Sequence, residues 1–524
     1  MPFYSYLFVF GFLPVFLGGY YLIYDLTEKK TGKPSGDALK NWILLASLAF
    51  CLYYNLYSLL VLLADCAVSY LLLQRLQTSD KKKGLLAAGI LFHIAVLGYF
   101  KYFDFFAGSA AALFGQDYVQ KNILLPLGIS YITFQQIALL SDLYRGRTEL
   151  PCFRDYLLYI FFFVKMMAGP VILYPEMRLQ LQRVEAGKPS LEQAVRGGVR
   201  FVLGLAKASL MAAALGKIAD YAFSGIASLT FLEALLGMIL YMLQLYFDFS
   251  GYCDMGQGIA GMIGMELPEN FNKPFHYHSF LGTWKNWHAT LTAFLTRYLY
   301  IPLGGSRRGK GIMIRNMLIV FLVSGLWHGA DFSFVVWGAL NGVIYLAVKL
   351  LQGVRPASSS GAGQETDRRG TSSAERAAEG RTAFPHRAKD YILRFLNFLA
   401  FAFTFVLFRA ENLADGFAFY GKLLTGLFKD NRFVLQRYYG ECFEIQELWY
   451  ALKMLRLTSF SGIHYICAAL LTGTALYFAL YAEDAKGRAA GWRFTLPGTL
   501  LLALLFVWSI LAFSGVDTFI YLQF

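Results

Sequence analysis

Apolar runs long enough to cross a membrane recur along most of this 524-residue chain. A helix of about 20 apolar residues spans the hydrocarbon core of a bilayer. Here 57% of the residues are hydrophobic and only 15% are charged, far from the composition of a soluble domain. The runs are continuous and do not alternate, which disfavours a β-barrel. The sequence therefore predicts an all-α, polytopic integral membrane protein with roughly 11–13 membrane segments. Residues 1–524 are expected to form one membrane-embedded domain.

The charged residues lie where membrane topology would place them. The formal net charge of +13 suggests, taken alone, a nucleic-acid-binding protein. Lys and Arg concentrate instead in short loops such as Lys81-Lys-Lys83, the bias typical of cytosolic loops. We therefore expect a lipid bilayer as surroundings, no nucleic-acid partner and an outer amino terminus. Within one apolar run, Lys101 and Asp104 have the spacing of a helical ion pair.

Several segments predict departures from simple spanning helices. The stretch 42–73 is too long for one span and predicts a helical hairpin near Tyr54-Asn55. The stretch 122–141 contains Pro126-Leu-Gly128, and 156–175 contains Met167-Ala-Gly-Pro170. Both patterns predict re-entrant or broken helices buried in protein. Residues 353–389 are rich in Ser, Gly, Ala, Arg and Glu, which predicts a flexible cytosolic insertion.

Three motifs resemble ligand-binding sequences but lie in an unsuitable context. Gly256-Gln-Gly-Ile-Ala-Gly261 has dinucleotide-fingerprint spacing without a preceding strand, so close helix packing is favoured. Gly304-Gly-Ser-Arg-Arg-Gly-Lys310 resembles a phosphate-binding loop, but Gly311 stands where Ser or Thr would bind magnesium. We interpret it as a basic cytosolic loop. His276-Tyr-His278 has no further ligand at suitable spacing, so no metal site is expected.

His328 is the strongest candidate for catalysis. It lies thirteen residues after Arg315, about 20 Å along a helix, which places its ring in the bilayer interior or at its far boundary. Burial keeps an imidazole neutral, and a neutral imidazole can accept a proton from a hydroxyl group. Trp327 supplies an adjacent apolar wall. A core histidine that bonds to a neighbouring helix is the structural alternative, and the local sequence leaves both open.

His288 is a second candidate. It follows Trp284 by four residues, which predicts that both lie on one face of a helix. A catalytic role and a structural hydrogen-bonding role are equally consistent with the local sequence.

Asp248 is an acid within an aromatic span, with Gln244 one turn earlier. A carboxylate at this depth requires a cavity or a partner. These two residues are expected to orient the base or to bind polar groups of a substrate. The alternative is that Asp248 pairs with Arg297 or Lys165 and only fixes helix packing.

Seven segments follow one another in a fixed order within about residues 90–350. They are Pro126-Leu-Gly-Ile-Ser-Tyr-Ile-Thr-Phe-Gln135, Ala168-Gly-Pro170, Phe247-Asp-Phe-Ser-Gly-Tyr252, Asn270-Phe-Asn-Lys-Pro-Phe275, Trp284-Lys-Asn-Trp-His288, Tyr298-Leu-Tyr-Ile-Pro-Leu-Gly-Gly305 and Leu326-Trp-His-Gly-Ala330. In combination they resemble the membrane-bound O-acyltransferase (MBOAT) family. The nearest branch is that of the alginate-biosynthesis acetyltransferase, and the branch containing the teichoic-acid D-alanyl transfer protein is related.

The resemblance implies a helical fold with a central funnel or tunnel. His328 matches the family's catalytic histidine, and His288 matches a second histidine. The implied function is an acetyltransferase of a bacterial cytoplasmic membrane that takes acetyl from cytosolic acetyl-CoA, or from another acyl-CoA or acyl-carrier donor. The implied acceptor is an extracytoplasmic, hydrolase-like acetylation protein, which then esterifies an exported polysaccharide. The thioester is a substrate, and no bound cofactor is expected. The candidate substrate-binding residues are Gln244, Asp248, Trp284, Arg297 and Trp327.

The chain also departs from that branch. Thr296-Arg297-Tyr298 stands where the branch has Arg-Asp-Tyr, so an acid is missing next to Arg297. Transfer of D-alanyl or another acyl group to a cell-wall polymer is an alternative within the family. A polysaccharide transporter or flippase is the alternative from another class, which broken helices favour and the lack of an internal repeat disfavours.

Overall fold

The computed structural model describes residues 2–167, 169–352, 384–429, 446–459 and 462–515. Throughout these ranges the regular structure is helical. Nine of the helices in the described ranges are long and apolar enough to cross a membrane. The predicted all-α polytopic class is confirmed. Most of the predicted insertion, residues 353–383, lies outside the described residues, and a helix begins at Phe384.

The helices are numbered here in chain order. They are α1 Leu13–Thr31, α2 Gly36–Tyr54, α3 Leu56–Thr78, α4 Lys82–Leu97, α5 Phe103–Leu113, α6 Ile129–Tyr144, α7 Phe153–Phe161, α8 Phe163–Met166, α9 Tyr174–Ala186, α10 Leu191–Ala206, α11 Ala213–Ser224, α12 Phe231–Met262, α13 Phe280–Asn286, α14 Ala289–Leu295, α15 Lys310–His328, α16 Phe332–Leu351, α17 Phe384–Arg409, α18 Leu413–Lys429, α19 Gln446–Met454, α20 Ile463–Leu480, α21 Ala485–Ala490 and α22 Leu496–Leu511. Short π-helical turns precede α1 and link α4 to α5 and α10 to α11, and another follows α14.

The predicted hairpin in the stretch 42–73 is confirmed. Helix α2 ends at Tyr54, Asn55 is extended, and α3 begins at Leu56. The Asn55 side chain accepts a hydrogen bond from the backbone of Ser58 and so caps α3. Two helices therefore replace one overlong span.

Helix α12 is the buried centre of the fold, and small residues let α10 approach it closely. A Cβ atom on Gly258 would lie 2.7 Å from the carbonyl oxygen of Gly197, and Gly204 and Gly251 meet in the same way. Only glycine permits such contact between helix backbones. The dinucleotide-like segment 256–261 lies inside α12, so its glycines pack helices, as predicted.

Both predicted broken segments are confirmed. Residues 117–126 are non-helical, and α6 starts only at Ile129. The second segment breaks at Phe162 and again after Met166; Ala168 lies outside the described residues. The two breaks touch, since a Cβ atom on Gly128 (φ 66°) would lie 2.4 Å from the carbonyl oxygen of Met166.

A glycine-lined hairpin places His328 at the end of α15. A Cβ atom on Gly325 would lie 2.2 Å from the carbonyl oxygen of Phe334 on α16, and one on Gly329 would lie 2.1 Å from the Phe334 ring. The two helices can therefore pack this tightly only with glycine at both positions. This explains the glycines on either side of Leu326-Trp-His328.

Candidate active site

His328 is the last residue of α15, and its ring is buried among aromatic side chains. The ring centroid lies 5.3 Å from that of Trp337 and 5.1 Å from that of Phe408. The ring centroid of the preceding residue, Trp327, lies 4.9 Å from that of His328. The imidazole is thus held in an apolar pocket at the end of α15 opposite its basic start at Lys310.

Two residues from the α4–α5 link hold the end of α15. The last carbonyl groups of a helix have no partner within the helix. Lys101 Nζ donates to the carbonyl oxygens of Trp327 (2.7 Å) and His328 (3.1 Å), and the Tyr102 hydroxyl donates to that of Leu326 (2.7 Å). The backbone that carries His328 is therefore held by the lysine amino group and a phenol hydroxyl.

The sequence does not predict this role of Lys101, because its spacing indicates an ion pair with Asp104. In the structure Asp104 accepts hydrogen bonds from the Tyr118 hydroxyl and from the backbone of Lys121 and Asn122. The available signal was a lysine within an apolar run, which requires a partner at that depth.

His288 lies at a break between two short helices. The prediction that it shares a helix face with Trp284 is wrong, because α13 ends at Asn286 and α14 begins at Ala289. His288 adopts a left-handed conformation, with φ 45°. This conformation is uncommon and strained for a residue other than glycine, and such residues occur often at functional sites.

Asn270 orients the His288 ring. His288 Nδ1 lies 3.2 Å from Asn270 Oδ1, and the backbone of Ala289 donates to the Asn270 carbonyl oxygen at 2.8 Å. Asn270 Oδ1 also accepts from the Thr290 hydroxyl. Asn270 is completely buried. The sequence does not predict this role of Asn270, because the residue lies 18 positions before His288 and no local pattern connects the two.

These contacts favour one tautomer of His288. The backbone N–H of Val171 donates to Thr290 Oγ1 at 3.0 Å, and the Thr290 hydroxyl donates to Asn270 Oδ1. The Asn270 amide nitrogen lies instead 3.4 Å from Cys253 Sγ. With the amide oxygen facing His288, Nδ1 carries the hydrogen of that contact. Nε2 therefore holds the lone pair. Burial also lowers the pKa of His288, to about 3, so the ring is neutral near pH 7.

The two histidines are neighbours. Their ring centroids lie 6.4 Å apart, and Trp327 lies 6.1 Å from His288. Phe249 of α12 closes the other side of His288 at 4.9 Å. The structure thus brings together three of the seven candidate residues: His328, His288 and Trp327.

A cavity of about 180 Å³ leads to His328. Lys101, Trp327 and Tyr131 also line it, together with the irregular segment 124–130 and Tyr54. Tyr54 ends α2, and Lys40 lies near the start of the same helix, next to the lysine-rich segment that contains Lys29, Lys30 and Lys33. The cavity and the lysine-rich segment therefore lie at opposite ends of α2.

Stacked aromatic rings close the opposite side of Trp327. Phe134 stacks on Trp327 with ring centroids 5.3 Å apart, and Phe294 stacks on Phe134 at 4.3 Å. The three rings thus run from the cavity, which Trp327 lines, to Phe134 on α6 and Phe294 on α14.

Beyond that stack, Arg297 is tied to Asp142 at the end of α6. Its Nη2 atom lies 3.0 and 3.1 Å from the two carboxylate oxygens, and the Tyr298 hydroxyl donates to the same carboxylate at 2.6 Å. Asp142 therefore supplies the acid that the sequence lacks next to Arg297. Arg297, one of the two partners that the sequence offered for Asp248, is paired with Asp142. An acid in the last turn of a helix, where the dipole disfavours it, was the missed signal.

The other candidate substrate residues lie in the helix core. Gln244 Nε2 packs at Gly216 of α11, where an added Cβ atom would come within 2.5 Å. Asp248 is one turn further along the same face of α12 and is also buried. Phe249, which contacts His288, lies about 140° around the helix from Gln244. Trp284 packs against Phe321 at 5.3 Å.

Comparison with known proteins agrees with this architecture. The model of the membrane-bound O-acyltransferase family matches residues 7–359. A "Peptidoglycan O-acetyltransferase" of Helicobacter pylori is 34% identical over 365 residues, which cover 64% of this chain and 68% of that protein. A "Probable alginate O-acetylase AlgI" of Pseudomonas aeruginosa is 35% identical over 367 residues, covering 68% and 67%.

A more distant relative is the "Teichoic acid D-alanyltransferase" of Bacillus subtilis, 26% identical over 232 residues, which cover 43% of this chain and 58% of that protein. The family match covers both histidines, the cavity and the broken helices. The chain therefore belongs to the membrane-bound O-acyltransferase family and is a multi-pass membrane acyltransferase.

Proposed function

We propose that this protein transfers an acetyl group from cytosolic acetyl-CoA to a hydroxyl group outside a bacterial cytoplasmic membrane, for O-acetylation of an exported polysaccharide. The observation that carries the proposal is a buried histidine pair that a cavity reaches at His328. We infer that this cavity faces outward, because the lysine-rich segment lies at the other end of α2. The acetylation of polysaccharides named for two relatives supports the choice of acyl group.

In this mechanism His328 acts as the general base. It takes the proton of the acceptor hydroxyl as that oxygen attacks the thioester carbonyl carbon. The C–S bond then breaks, and the leaving thiolate takes a proton back from the imidazolium. The carbonyl contacts of Lys101 and Tyr102 hold His328 in position, and Trp327 and Trp337 exclude water.

His288 serves as the second polar group of the site. With Nδ1 protonated toward Asn270, its Nε2 atom can accept a hydrogen bond. This suits a role in orienting the acceptor hydroxyl or in receiving its proton. We propose the outward cavity as the entry of the acceptor, an extracytoplasmic acetylation protein, and the cytosolic face as the entry of the donor.

The test uses the full chain in lipid nanodiscs with acetyl-labelled acetyl-CoA. His328→Ala is expected to lower the rate of thioester turnover by about 100- to 10,000-fold. His278→Ala is the matched control, because His278 lies near Asp390 (3.6 Å) and Arg394 (3.4 Å), away from the pair. A variant lacking His328 that keeps the wild-type rate would refute the catalytic assignment.

A donor panel separates the alternatives. Turnover of a D-alanyl thioester in place of acetyl-CoA would favour the activity named for the Bacillus relative. Failure to consume any acyl thioester, with polysaccharide moved across the membrane, would instead favour a transporter.

A further inference from the structure

A second cavity, of about 430 Å³, lies on the other side of α12 from the histidine pair. Its walls come from α10 to α12 and from the carboxyl-terminal helices α20 and α22. They are mostly apolar, with Leu203, Met211, Leu471, Phe478, Leu501 and Leu505 as examples. We call this space the α10–α22 groove. Protein interiors are close-packed, and water gains few hydrogen bonds against such walls, so an apolar ligand is the natural occupant.

Charged residues line the groove beside its apolar walls. Over its whole length these are four lysine or arginine residues and two acids, Glu483 and Asp484, and the carboxyl-terminal segment contributes Arg488 together with both acids. Lys273 forms an ion pair with Glu483. Arg488 donates from Nε to the Glu483 carbonyl oxygen at 2.8 Å, and its guanidinium lies 5.0 Å from the centroid of the Phe478 ring. Arg488 therefore presents its guanidinium group at the wall of the groove, and the hydrogen bond to Glu483 uses only its Nε atom.

Loop charge places the Arg488 end of the groove at the cytosolic leaflet. Arg488 belongs to the segment between α20 and α22, which also carries Lys486 and Arg493. Arg196, near the start of α10, donates to the carbonyl oxygen of Ala489 at 2.8 Å, so this segment docks beside another basic loop. Basic pockets between membrane helices on that side bind acidic lipid headgroups.

The groove does not lead to the histidine pair. Tyr246 of α12 stands between them, with its ring 5.2 Å from Phe275 and 6.3 Å from Trp287. The adjoining space beside Arg200 and Asp254 is only about 10 Å³, too small for a thioester chain. An acyl donor seated in the groove could not reach His328, which distinguishes this site from the proposed chemistry.

We propose that the α10–α22 groove is a binding site for one anionic phospholipid, with its acyl chain between α10 and α22 and its phosphate at Arg488. The lipid joins the carboxyl-terminal helices to the core, where the side chains of the described residues leave the space unfilled. The site is independent of acyl transfer, and its test measures lipid retention and not activity.

The experiment compares the full chain with three variants after purification in mild detergent supplemented with either phosphatidylglycerol or phosphatidylcholine. Retained lipid is quantified by mass spectrometry, and Tm is measured in both mixtures. Wild type is expected to retain phosphatidylglycerol selectively and to show a higher Tm with it. Arg488→Gln should weaken the apparent affinity about fivefold. Ala214→Trp, which fills the groove without removing charge, should lower retention too.

Arg493→Gln is the matched control, since it removes the same charge from the same segment outside the groove lining. Equal retention of phosphatidylglycerol by all four proteins would overturn the proposal. So would retention without headgroup preference. Loss of acetyl-CoA binding in Arg488→Gln and Ala214→Trp, with lipid retention unchanged, would assign the groove to the donor and overturn it as well.

Discussion

At the scale of single residues, Asn270 and Thr290 show how a hydrogen-bond chain sets the chemistry of a histidine. The backbone N–H of Val171 donates to the Thr290 hydroxyl, which donates in turn to the amide oxygen of Asn270. An amide oxygen only accepts, so its contact with His288 places a hydrogen on Nδ1. The orientation of the Asn270 amide therefore sets the tautomer and leaves Nε2 unprotonated.

This chain predicts an effect of Thr290→Val. Valine has the same shape but no hydroxyl, so the Asn270 oxygen loses one donor and the amide is free to flip. Loss of one such hydrogen bond is worth about 1 kcal/mol, and we expect about a fivefold lower rate of acetyl transfer. Thr290→Ser should restore the rate, because serine keeps the hydroxyl. A similar loss in Thr290→Ser would show that the site needs the methyl group for packing.

Residue chemistry also explains what could be predicted at this scale. His328 and His288 were found because a titratable ring in apolar sequence is costly. Asn270 contacts His288, 18 positions away, and Lys101 contacts Trp327, 226 positions away. No local sequence pattern predicts such contacts. The sequence shows that an acid is missing beside Arg297, but it does not show that Asp142 of a different helix pairs with this arginine.

At the scale of helices, close glycine contacts decide where His328 lies. Gly325→Ala should push α15 away from α16, because its Cβ atom would lie 2.2 Å from a backbone oxygen. Overpacking of this kind costs about 1–3 kcal/mol, and we expect a lower Tm together with lower activity. Gly311→Ala on the same helix meets no atom within 4 Å and should be neutral or stabilising. Equal Tm values for the two variants would contradict the close-contact explanation.

Asp142 connects α6 to the turn after α14. Asp142→Asn removes the charge that pairs with Arg297, and we expect a loss of about 1–3 kcal/mol, seen as a lower Tm. The matched control is Arg147→Gln, which removes a longer contact (3.6 Å) from a more exposed cation to the same carboxylate. Exposed pairs contribute about 0–1 kcal/mol, so this control should change Tm little. The reverse order of effects would show that Arg147 holds the carboxylate.

Helix breaks were predictable where proline and glycine interrupt apolar sequence, as at Pro126-Leu-Gly128 and before Pro170. The break at His288 was not, because Trp284-Lys-Asn-Trp-His288 contains neither residue. Tertiary contacts from Asn270 impose that break, with the backbone of Asn272 also bonded to Asn286 at 3.1 Å. Helix propensity in the local sequence cannot predict such contacts.

At the scale of the whole molecule, the orientation in the bilayer decides which substrate meets the cavity. From the charge bias of the loops we expect Lys40, Cys152 and Arg488 on the cytosolic side, and the segment 117–126 on the outer side. One contact supports placing Lys40 and Cys152 on the same side: Lys40 Nζ, near the start of α2, lies 3.0 Å from the carboxylate of Asp155, three residues after Cys152. The cavity at His328 opens beside Tyr54, at the other end of α2.

Membrane-impermeant maleimide labelling tests this orientation. In a chain lacking the other cysteines, Val119→Cys should react in intact cells, because Val119 is 87% exposed. The native Cys152, also exposed, should react only in inverted membrane vesicles. Each single-cysteine chain serves as the control for the other. Labelling of Cys152 from outside would invert the molecule, place the cavity on the cytosolic side, and make it the entry of the thioester in place of the acceptor.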